Sequence, residues 1–529
     1  MLFTPEIGML YFWREIKKQK TMPTSITVNI QDYLRQPLKI VRGCKDYREE
    51  EELLKNVDDI LKLSGLERLF IELSTNEFKA KNKARAERGE KVLDGADVLA
   101  KFQHKSSEVL RCNALRGIMP MSYREMSKRL AMCELYRWFC RLEDFDMVRP
   151  PSKSTLQDYA DWLPIEKMEP ILKALTAAVK DKNKAQIIGL EQEMDMSMAW
   201  VDSTCLKANI HFPADWVLLR DAVRTLVASI LTIRRHGLKN RINDPQTFMA
   251  QMNALAMRMS AAGRKPRGKK ERKSILRQMK RLTQVIERHT LRYRAMLLDR
   301  REETDLSAAQ AQVIVDRIDN VVGQLEDVRH QAHERIIGER QVANKKKILS
   351  LYEHDIHVIV RGKAGANVEF GNGLLIAENR AGFIIDHELS KKTAPTDGKW
   401  LKQRLPILEE VTAGKLKGIA ADRGFDSKSM QELLEEKNLF NAICPKNPRD
   451  LAEKVATDEK FVKAMKRRSQ TEARIGILKN VHLDEIPRAK GFESRQLQVA
   501  WAVLAHNLRL VARMRQAATA EKAALSKAA

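Results

Sequence analysis

The chain has 529 residues, with 95 Lys and Arg against 70 Asp and Glu, so its formal charge is +25 at neutral pH. A single hydrophobic core stops growing at roughly 250 to 300 residues, so this length predicts several domains. With 43% hydrophobic and 31% charged residues, the composition excludes a disordered tail, a collagen-like repeat and a low-complexity polymer. A large positive excess attracts polyanions, of which nucleic acid is the commonest in a cell; the alternative is a basic solvated surface.

The cysteines and the apolar segments bear on where the chain works. Six cysteines are scattered without a CxxC pair or a His-x3-His partner, so their spacing indicates neither a zinc ribbon nor a disulfide framework. Reduced thiols are typical of a cytoplasmic protein. The most apolar stretch, residues 216–233, contains two arginines and an aspartate, so we expect no membrane-spanning helix and no membrane partner.

Residues 1–97 predict an N-terminal region of helices and connector. The helical pattern is clearest at 50–71, and a charged connector punctuated by glycine follows at 79–97. This region carries no pattern that points to a function.

Residues 98–190 have a helical pattern. Ser122 and Glu125 form a capping box that opens one helix, and a break at Pro150 precedes another. Short helices joined by tight breaks, with basic residues such as Arg124, fit a helix-turn-helix DNA-binding domain. An ordinary helical bundle explains them equally well.

At residues 191–214 the helical pattern gives way to a strand pattern. Met196 to Asp202 is typical of a short apolar strand that ends in a carboxylate. Asp215 comes next, and we expect it to cap the helix that begins there.

Residues 215–345 predict a basic helical segment. Between 258 and 301, sixteen Lys and Arg stand against three acidic residues, so the net charge is 16 − 3 = +13, about half of the total excess. This run opens with a loop rich in Gly and Pro. Two seams of residues, at 275–296 and 314–328, alternate spacings of four and three, which predicts two long helices packed side by side. Their basic outer faces are candidates for binding DNA phosphates, against the alternatives of a solvated surface or a localisation tag. The candidate DNA-binding residues here are Arg264, Lys265, Arg267, Lys269, Lys270, Arg272 and Lys273.

Residues 346–515 have strand periodicity in their first part and helical periodicity later. Ile356, Val358 and Val360 alternate with polar residues, and glycines mark the turn that follows. A later strand again ends in a carboxylate, Asp422. Residues 516–529 form a C-terminal tail. We place strands at 356–360, 368–370, 374–377, 383–385, 418–422 and 441–444, and helices at 399–412 and 427–437.

Three carboxylates occupy positions suited to a metal site. Asp202 and Asp422 each end a strand and Glu472 lies on a later helix, which predicts a cluster at one edge of a sheet. Magnesium takes oxygen ligands from carboxylates, water and substrate phosphate, and two such ions can stabilise both the attacking and the leaving oxygen of a phosphodiester displacement. Glu472 stands four residues after Arg468 and seven residues before Lys479, spacings that keep all three on one helix face, so cations flank Glu472 to meet phosphates.

These residues resemble the signature regions of a known family. Asp202-Ser-Thr, the run from Asp422 to Ser427 (Asp-Arg-Gly-Phe-Asp-Ser), and Arg468-x3-Glu472-x6-Lys479 look like the three signatures of DDE-class insertion-sequence transposases. The resemblance covers about 195–215 and 350–510. One departure is Met465, which stands where many relatives carry a tyrosine that contacts DNA near the scissile end. This difference does not touch the metal ligands.

The resemblance implies an α/β fold with an RNase H-like mixed-sheet core. That core would comprise residues 191–214 and 346–515, preceded by an N-terminal helical domain. It is interrupted by the long, coiled-coil-like helical insertion at 215–345. The 220 residues between Asp202 and Asp422 far exceed what a few strands and one helix require, which supports the insertion.

The implied activity is that of a transposase. Such an enzyme binds the terminal inverted repeats of its element, cleaves DNA by metal-assisted hydrolysis and transfers the 3′-OH end to target DNA. The implied cofactor is a pair of Mg²⁺ ions, which Mn²⁺ can replace. The implied partners are double-stranded DNA and further copies of the chain, in a homodimer or larger synaptic assembly, in the cytoplasm and at the bacterial nucleoid when acting. The implied catalytic and metal-binding residues are Asp202, Asp422 and Glu472, with Arg468, Lys479 and Arg423 contacting DNA.

Several alternatives stay open. The function could be that of an RNase H-like nuclease without strand transfer, a non-catalytic DNA-binding protein derived from a transposase, or a structural coiled-coil partner. Asp426 would cap the helix after Gly424. The other candidates weighed for the site are the carboxylates of Asp195, Asp426 and Glu485 and, as core or surface residues, His354, His357 and His387.

Overall fold

The computed structural model describes residues 37–142, 147–242, 244–363, 366–483 and 489–528. The chain is mixed α/β and contains a six-stranded mixed sheet. It divides into two compact units. The first comprises the chain up to Leu206, Gly373–Ser390 and the chain from Ala394, and the second comprises Lys207–Asn372 and Lys391–Thr393.

The N-terminal part of the first unit is helical, as predicted. The side chain of Ser122 accepts a hydrogen bond from the backbone N–H of Glu125, which confirms the predicted helix start. The predicted connector at 79–97 is wrong in its first half, because the second helix continues to Glu87. Residues 1–36 of the predicted N-terminal region lie outside the described residues. The helices are α1 (Lys45–Leu63), α2 (Leu66–Glu87), α3 (Ala96–Ile118), α4 (Tyr123–Met132), α5 (Glu134–Cys140), α6 (Lys153–Ala160), α7 (Ile165–Lys180) and α8 (Lys182–Ile187).

A buried ion cluster ties these helices together. The guanidinium of Arg111, which is fully buried, lies 2.7 Å from the Glu67 carboxylate and 2.5 Å from that of Asp58. Arg141 adds a second cation 3.0 Å from Glu67. Burial alone would raise the pKa of Glu67, but the two arginines lower it to about 2. Such a cluster is stable only while every charge keeps its partner.

The sheet has the strand order β2-β3-β1-β5-β6, with β4 paired to β3. The pairs β1–β5 and β5–β6 are parallel, whereas β2–β3 and β3–β4 are antiparallel. Gly418 allows close approach at the start of β5, since a Cβ there would lie 2.8 Å from that of Phe440. The strands are β1 (Met198–Lys207), β2 (His357–Lys363), β3 (Ala366–Glu378), β4 (Ile384–Leu389), β5 (Gly418–Ala421) and β6 (Phe440–Ile443).

Further helices of the first unit pack against the sheet. Trp200 of β1 is buried with Ala420 of β5 and Phe461 in one apolar cluster. Its indole N–H donates to the Ala464 carbonyl at 3.0 Å, which fixes a helix to the central strand. These helices are α13 (Asp397–Val411), α14 (Lys428–Glu436), α15 (Pro448–Thr457), α16 (Glu459–Ile477) and α17 (Phe492–Ala528).

The second unit contains the predicted basic helices, α9 (Asp215–Arg235), α10 (Pro245–Gly263), α11 (Lys269–Asp299) and α12 (Ala308–Ala332). Both predicted seams are confirmed as helices, and their apolar residues share one buried cluster. Within the described ranges, no helix is long and apolar enough to cross a membrane. The six cysteines all lie in the described ranges and form no disulfide bond there.

Asp215 does not have the capping role expected for it. The N-cap of α9 is Ala214, and Asp215 is the first residue of the helix. The Asp215 carboxylate is buried and accepts from Arg335 at 2.9 and 3.0 Å and from Gln331 at 2.8 Å. It therefore anchors a basic side chain at the far end of α12.

Candidate active site

Asp202 and Asp422 lie on neighbouring parallel strands at the same level. Val201 of β1 is in register with Ala421 of β5, and each aspartate directly follows. The prediction that the first strand ends at Asp202 is wrong, because β1 continues to Lys207 beside β3. Asp202 thus stands where β1 extends beyond β5. Parallel pairing brings the two carboxylates to one edge of the shorter strand, as the sequence predicted.

Local backbone hydrogen bonds orient both aspartates. One oxygen of Asp202 accepts from the N–H of Ser203 at 2.7 Å, and one oxygen of Asp422 accepts from the N–H of Gly424 at 2.7 Å. The residues after Asp422 form a single 3-10 turn, in which Arg423 is exposed. Each carboxylate is therefore held by a backbone N–H one or two residues further along the chain, within β1 for Asp202 and in the turn after β5 for Asp422.

The electrostatics of Asp202 tie the three acids together. Burial, helped by the nearby charges of Asp422 and Glu472, raises the pKa of Asp202 to about 6, although the Ser203 N–H and Arg468 act to lower it. A carboxyl group desolvated beside two like charges is stabilised by a cation. The charges of the other two predicted acids therefore both act on Asp202.

Helix α16 carries two of the predicted residues. Arg468 and Glu472 are one turn apart and form an ion pair of 3.0 Å, in which the Glu472 side chain is 58% exposed. Lys479 lies beyond the α-helix, in a π-helical turn at Leu478–His482, so the predicted single α-helical face from Arg468 to Lys479 is wrong. The Lys479 ammonium donates to the hydroxyl of Thr204 at 3.4 Å, which places it beside β1.

Glu378, at the end of β3, fixes the rotation of α16, and sequence reasoning missed it. Its side chain is 1% exposed and lies 2.8 Å from the Arg467 guanidinium and 3.1 Å from that of Arg474. The Thr471 hydroxyl donates to the same carboxylate at 2.8 Å. The three partners span two turns of α16, so the helix cannot rotate about its axis without breaking a buried ion pair.

A second contact also holds α16 against the sheet. The Arg467 guanidinium lies 4.8 Å from the centre of the Trp200 ring, two residues before Asp202. Met465, the departure from the motifs that this sequence resembles, packs against the apolar cluster around Trp200. Apolar packing on the sheet therefore accounts for a methionine at this position.

Asp397 contacts the residues that follow both aspartates, and it too was missed. The Ser203 hydroxyl donates to one oxygen of Asp397 at 2.8 Å. The other oxygen lies against Gly424, where an added Cβ would be only 2.5 Å away. A side chain at 424 would therefore displace the Asp397 carboxylate, which lies at the start of α13 between Ser203 of β1 and the turn after Asp422. No local pattern in the sequence marks Asp397, because its partners are far away along the chain.

The rival residues have other partners. Asp195 accepts from the N–H of Ser197 at 2.8 Å. Asp426 is buried and accepts from Lys446 and Gln431, whereas the cap of α14 is Ser427, so the capping role expected for Asp426 is wrong. Glu485 lies outside the described residues. Among the histidines, His354 and His357 hydrogen-bond to Asn320 and to the Lys391 carbonyl, and burial lowers the pKa of His387.

The predicted metal site has suitable donors. Among the residues that the structure describes, no group of three or more His, Cys, Asp or Glu side chains is arranged to hold a metal ion. Glu472 instead pairs with Arg468. The donor chemistry fits a hard cation, because Asp202 and Asp422 are carboxylates at one strand edge and burial and like charge disfavour ionised Asp202.

The basic residues predicted in the second unit gather around one helix start. Arg264, Lys265 and Arg267 are exposed in the short link between α10 and α11, so the predicted loop is confined to five residues, 264–268. Lys270 is also exposed, and Lys265 pairs with Glu271 at 3.0 Å. Lys269 and Lys273 both pair with Glu339, at 3.1 and 2.9 Å, and Arg272 is partly exposed.

Comparisons with protein families, with curated proteins and with solved structures found no match to this chain. The functional interpretation therefore depends on the site residues and on the resemblance of their motifs.

Proposed function

We propose that the protein is a DDE transposase with an RNase H-like catalytic core. It binds the terminal inverted repeats of its element, cleaves DNA phosphodiester bonds and joins the freed 3′-OH to target DNA. The observation that carries this proposal is the pairing of β1 with β5, which sets Asp202 beside Asp422, with Glu472 close enough to raise the Asp202 pKa.

Each residue of the site has a role that follows from its surroundings. Asp202, Asp422 and Glu472 would hold two Mg²⁺ ions, or Mn²⁺ in their place. Bound Mg²⁺ would supply charge neutralisation at the scissile phosphate. Arg468 keeps Glu472 on the site side of α16 through their ion pair. The exposed Arg423 is free to contact a DNA phosphate beside the Asp422 carboxylate.

The proposed partners are double-stranded DNA and further copies of the chain. The net charge of +25 suits a polyanion, and its densest part, at 258–301, belongs to the second unit. Bringing two element ends together needs a dimer or a larger assembly. The proposed place of action is the cytoplasm, at the nucleoid.

The test is Asp202→Asn, which keeps the size of the side chain and removes the charge. With a duplex that carries the short inverted repeats flanking the gene, we expect unchanged DNA binding and loss of Mg²⁺-dependent cleavage. Asp195→Asn is the matched control, since Asp195 only accepts a backbone N–H two residues away and should leave cleavage intact. Normal cleavage by Asp202→Asn would contradict the proposal, and absence of joined products would reduce the activity to that of a nuclease.

A further inference from the structure

A cationic cleft lies within the second unit, between the start of α11 and the segment that follows α12. Its volume is about 870 Å³. A single carboxylate, Glu339, contributes to the lining, against five cationic side chains. These cations are Lys269, Arg272, Arg335, Arg340 and Lys347. Only the two on α11 belong to the basic run evident in the sequence, because the others come from beyond α12.

The Glu339 carboxylate is held among these cations by an unusual backbone. Its φ is +53°, in the left-handed region that non-glycine residues rarely adopt. The carboxylate lies 2.9 Å from the Lys273 ammonium and 3.1 Å from that of Lys269. Strained backbone persists where its surroundings determine it, and such positions cluster at binding sites.

Two other cations of the cleft are positioned by acids of their own. Arg335 is anchored by the buried Asp215 carboxylate at 2.9 Å, and Arg340 pairs with Glu334. Arg272 makes no ion pair within the described part of the chain, and Lys347 donates to the side chain of Asn344 at 2.7 Å. The cleft therefore has fixed guanidinium groups and a surplus of positive charge, with Glu339 as the internal counter-charge.

We propose that this cleft binds a phosphate of the DNA backbone and that the Glu339 carboxylate occupies the phosphate position until DNA displaces it. Guanidinium and ammonium groups around one point match the charge and geometry of a phosphate oxygen set. The choice of DNA as the source of the phosphate rests on the proposed function. The exchange of an internal carboxylate for an external anion rests on the charges of the cleft alone.

The experiment compares two variants of the full chain that each remove one negative charge. Glu339→Gln removes the internal counter-charge, whereas Glu302→Gln removes an exposed carboxylate on the turn at Arg301–Glu303, outside the cleft lining. Binding to a random-sequence DNA duplex is measured by fluorescence anisotropy in EDTA, over about 50 to 200 mM salt. Cleavage plays no part in this measurement, so loss of activity and loss of this site are distinguishable.

We expect Glu339→Gln to tighten binding about threefold or more at low salt and to steepen the slope of log K against log salt by about 0.9, as one more phosphate contact does. Glu302→Gln should change affinity much less and leave the slope unchanged. Arg272→Gln should weaken binding without touching Glu339, so the two cleft variants move in opposite directions. Thermal unfolding of each variant confirms that it is folded.

Equal effects of Glu339→Gln and Glu302→Gln would overturn the proposal, since net charge alone would then explain them. No gain for Glu339→Gln would overturn it as well. If the full chain binds poly-glutamate more tightly than it binds the duplex, the cleft is assigned to an acidic protein and the choice of DNA is overturned. Mg²⁺-dependent cleavage that persists in any of these cases leaves the proposed function standing.

Discussion

Removal of the Glu378 carboxylate tests whether the end of β3 fixes helix α16. Glu378→Ala leaves Arg467 and Arg474, with side chains only 11% and 24% exposed, facing one another without a counter-charge. Loss of one partner from a buried ion pair costs about 3 to 5 kcal/mol. The Thr471 hydroxyl loses its acceptor at the same time. We therefore expect the free energy of unfolding, measured in urea, to fall by about that amount.

The same change should reach the proposed active site. Arg468 directly follows Arg467, and Glu472 directly follows Thr471, and both Arg467 and Thr471 contact Glu378. Rotation of α16 therefore displaces both Arg468 and Glu472. At a temperature where the variant is folded, we expect Mg²⁺-dependent cleavage to fall while DNA binding persists. Glu378→Gln keeps an acceptor for the Thr471 hydroxyl, so it should lose less unfolding free energy and less cleavage activity than Glu378→Ala.

Glu67→Ala is the matched control. It breaks a cluster of the same kind, one buried carboxylate between two arginines, among the N-terminal helices of the first unit. We expect a similar loss of stability with cleavage per folded molecule unchanged. Equal loss of cleavage in both variants, or a Glu378→Ala variant as stable as the parent chain, would refute the positioning role.

Three further outcomes can be measured on single variants. Asp397→Ala removes the acceptor of the Ser203 hydroxyl, next to Asp202. We expect cleavage to fall about 10- to 100-fold, as it does when outer-shell partners of metal ligands are removed, and DNA binding to be retained. Burial lowers the pKa of His506 to about 4, against 6.5 for the ordinary side chain. The unfolded chain then binds more protons between these values, so stability falls by about 3 kcal/mol as pH drops from 6.5 to 4, and His506→Gln should flatten that dependence in urea titrations at each pH. Gly382→Ala places a Cβ 1.9 Å from the Arg474 guanidinium at a φ of +87°, whereas Gly414→Ala, at +71°, meets open space. Both should lower the unfolding free energy by about 1 to 2 kcal/mol for the backbone, and Gly382→Ala by clearly more; equal losses would contradict the close contact.

Local periodicity explains what the sequence predicts well. The seams at 275–296 and 314–328 repeat at helical spacing over several turns, and both lie in the observed helices α11 and α12. The Asp422 strand and the helix of Glu472 were likewise evident from short-range patterns. Each of these features depends on residues within a few positions of one another.

The misses arise from contacts that span long distances in sequence. The end of β1 was placed at Asp202 because polar residues follow it, but β3 remains alongside and extends the strand to Lys207. Arg467, which pairs with Glu378, and Ser203, which donates to Asp397, each lie 89 or more residues away from that acid, so no local pattern marks either acid. The π-helical turn that contains Lys479 also leaves no sequence period to detect.

The distance between β1 and β5 along the chain has a consequence for how the protein folds. Pairing Val201 with Ala421 closes a loop of more than two hundred residues, and closure entropy opposes it. The helices of the second unit form from local contacts, which assemble fastest. Once they have folded, the N–H of Ala208 donates to the carbonyl of Phe370 at 2.9 Å, so the two ends of the unit lie together. We therefore expect early folding of the helical unit to shorten the effective loop, so that the two aspartates meet after that unit has formed.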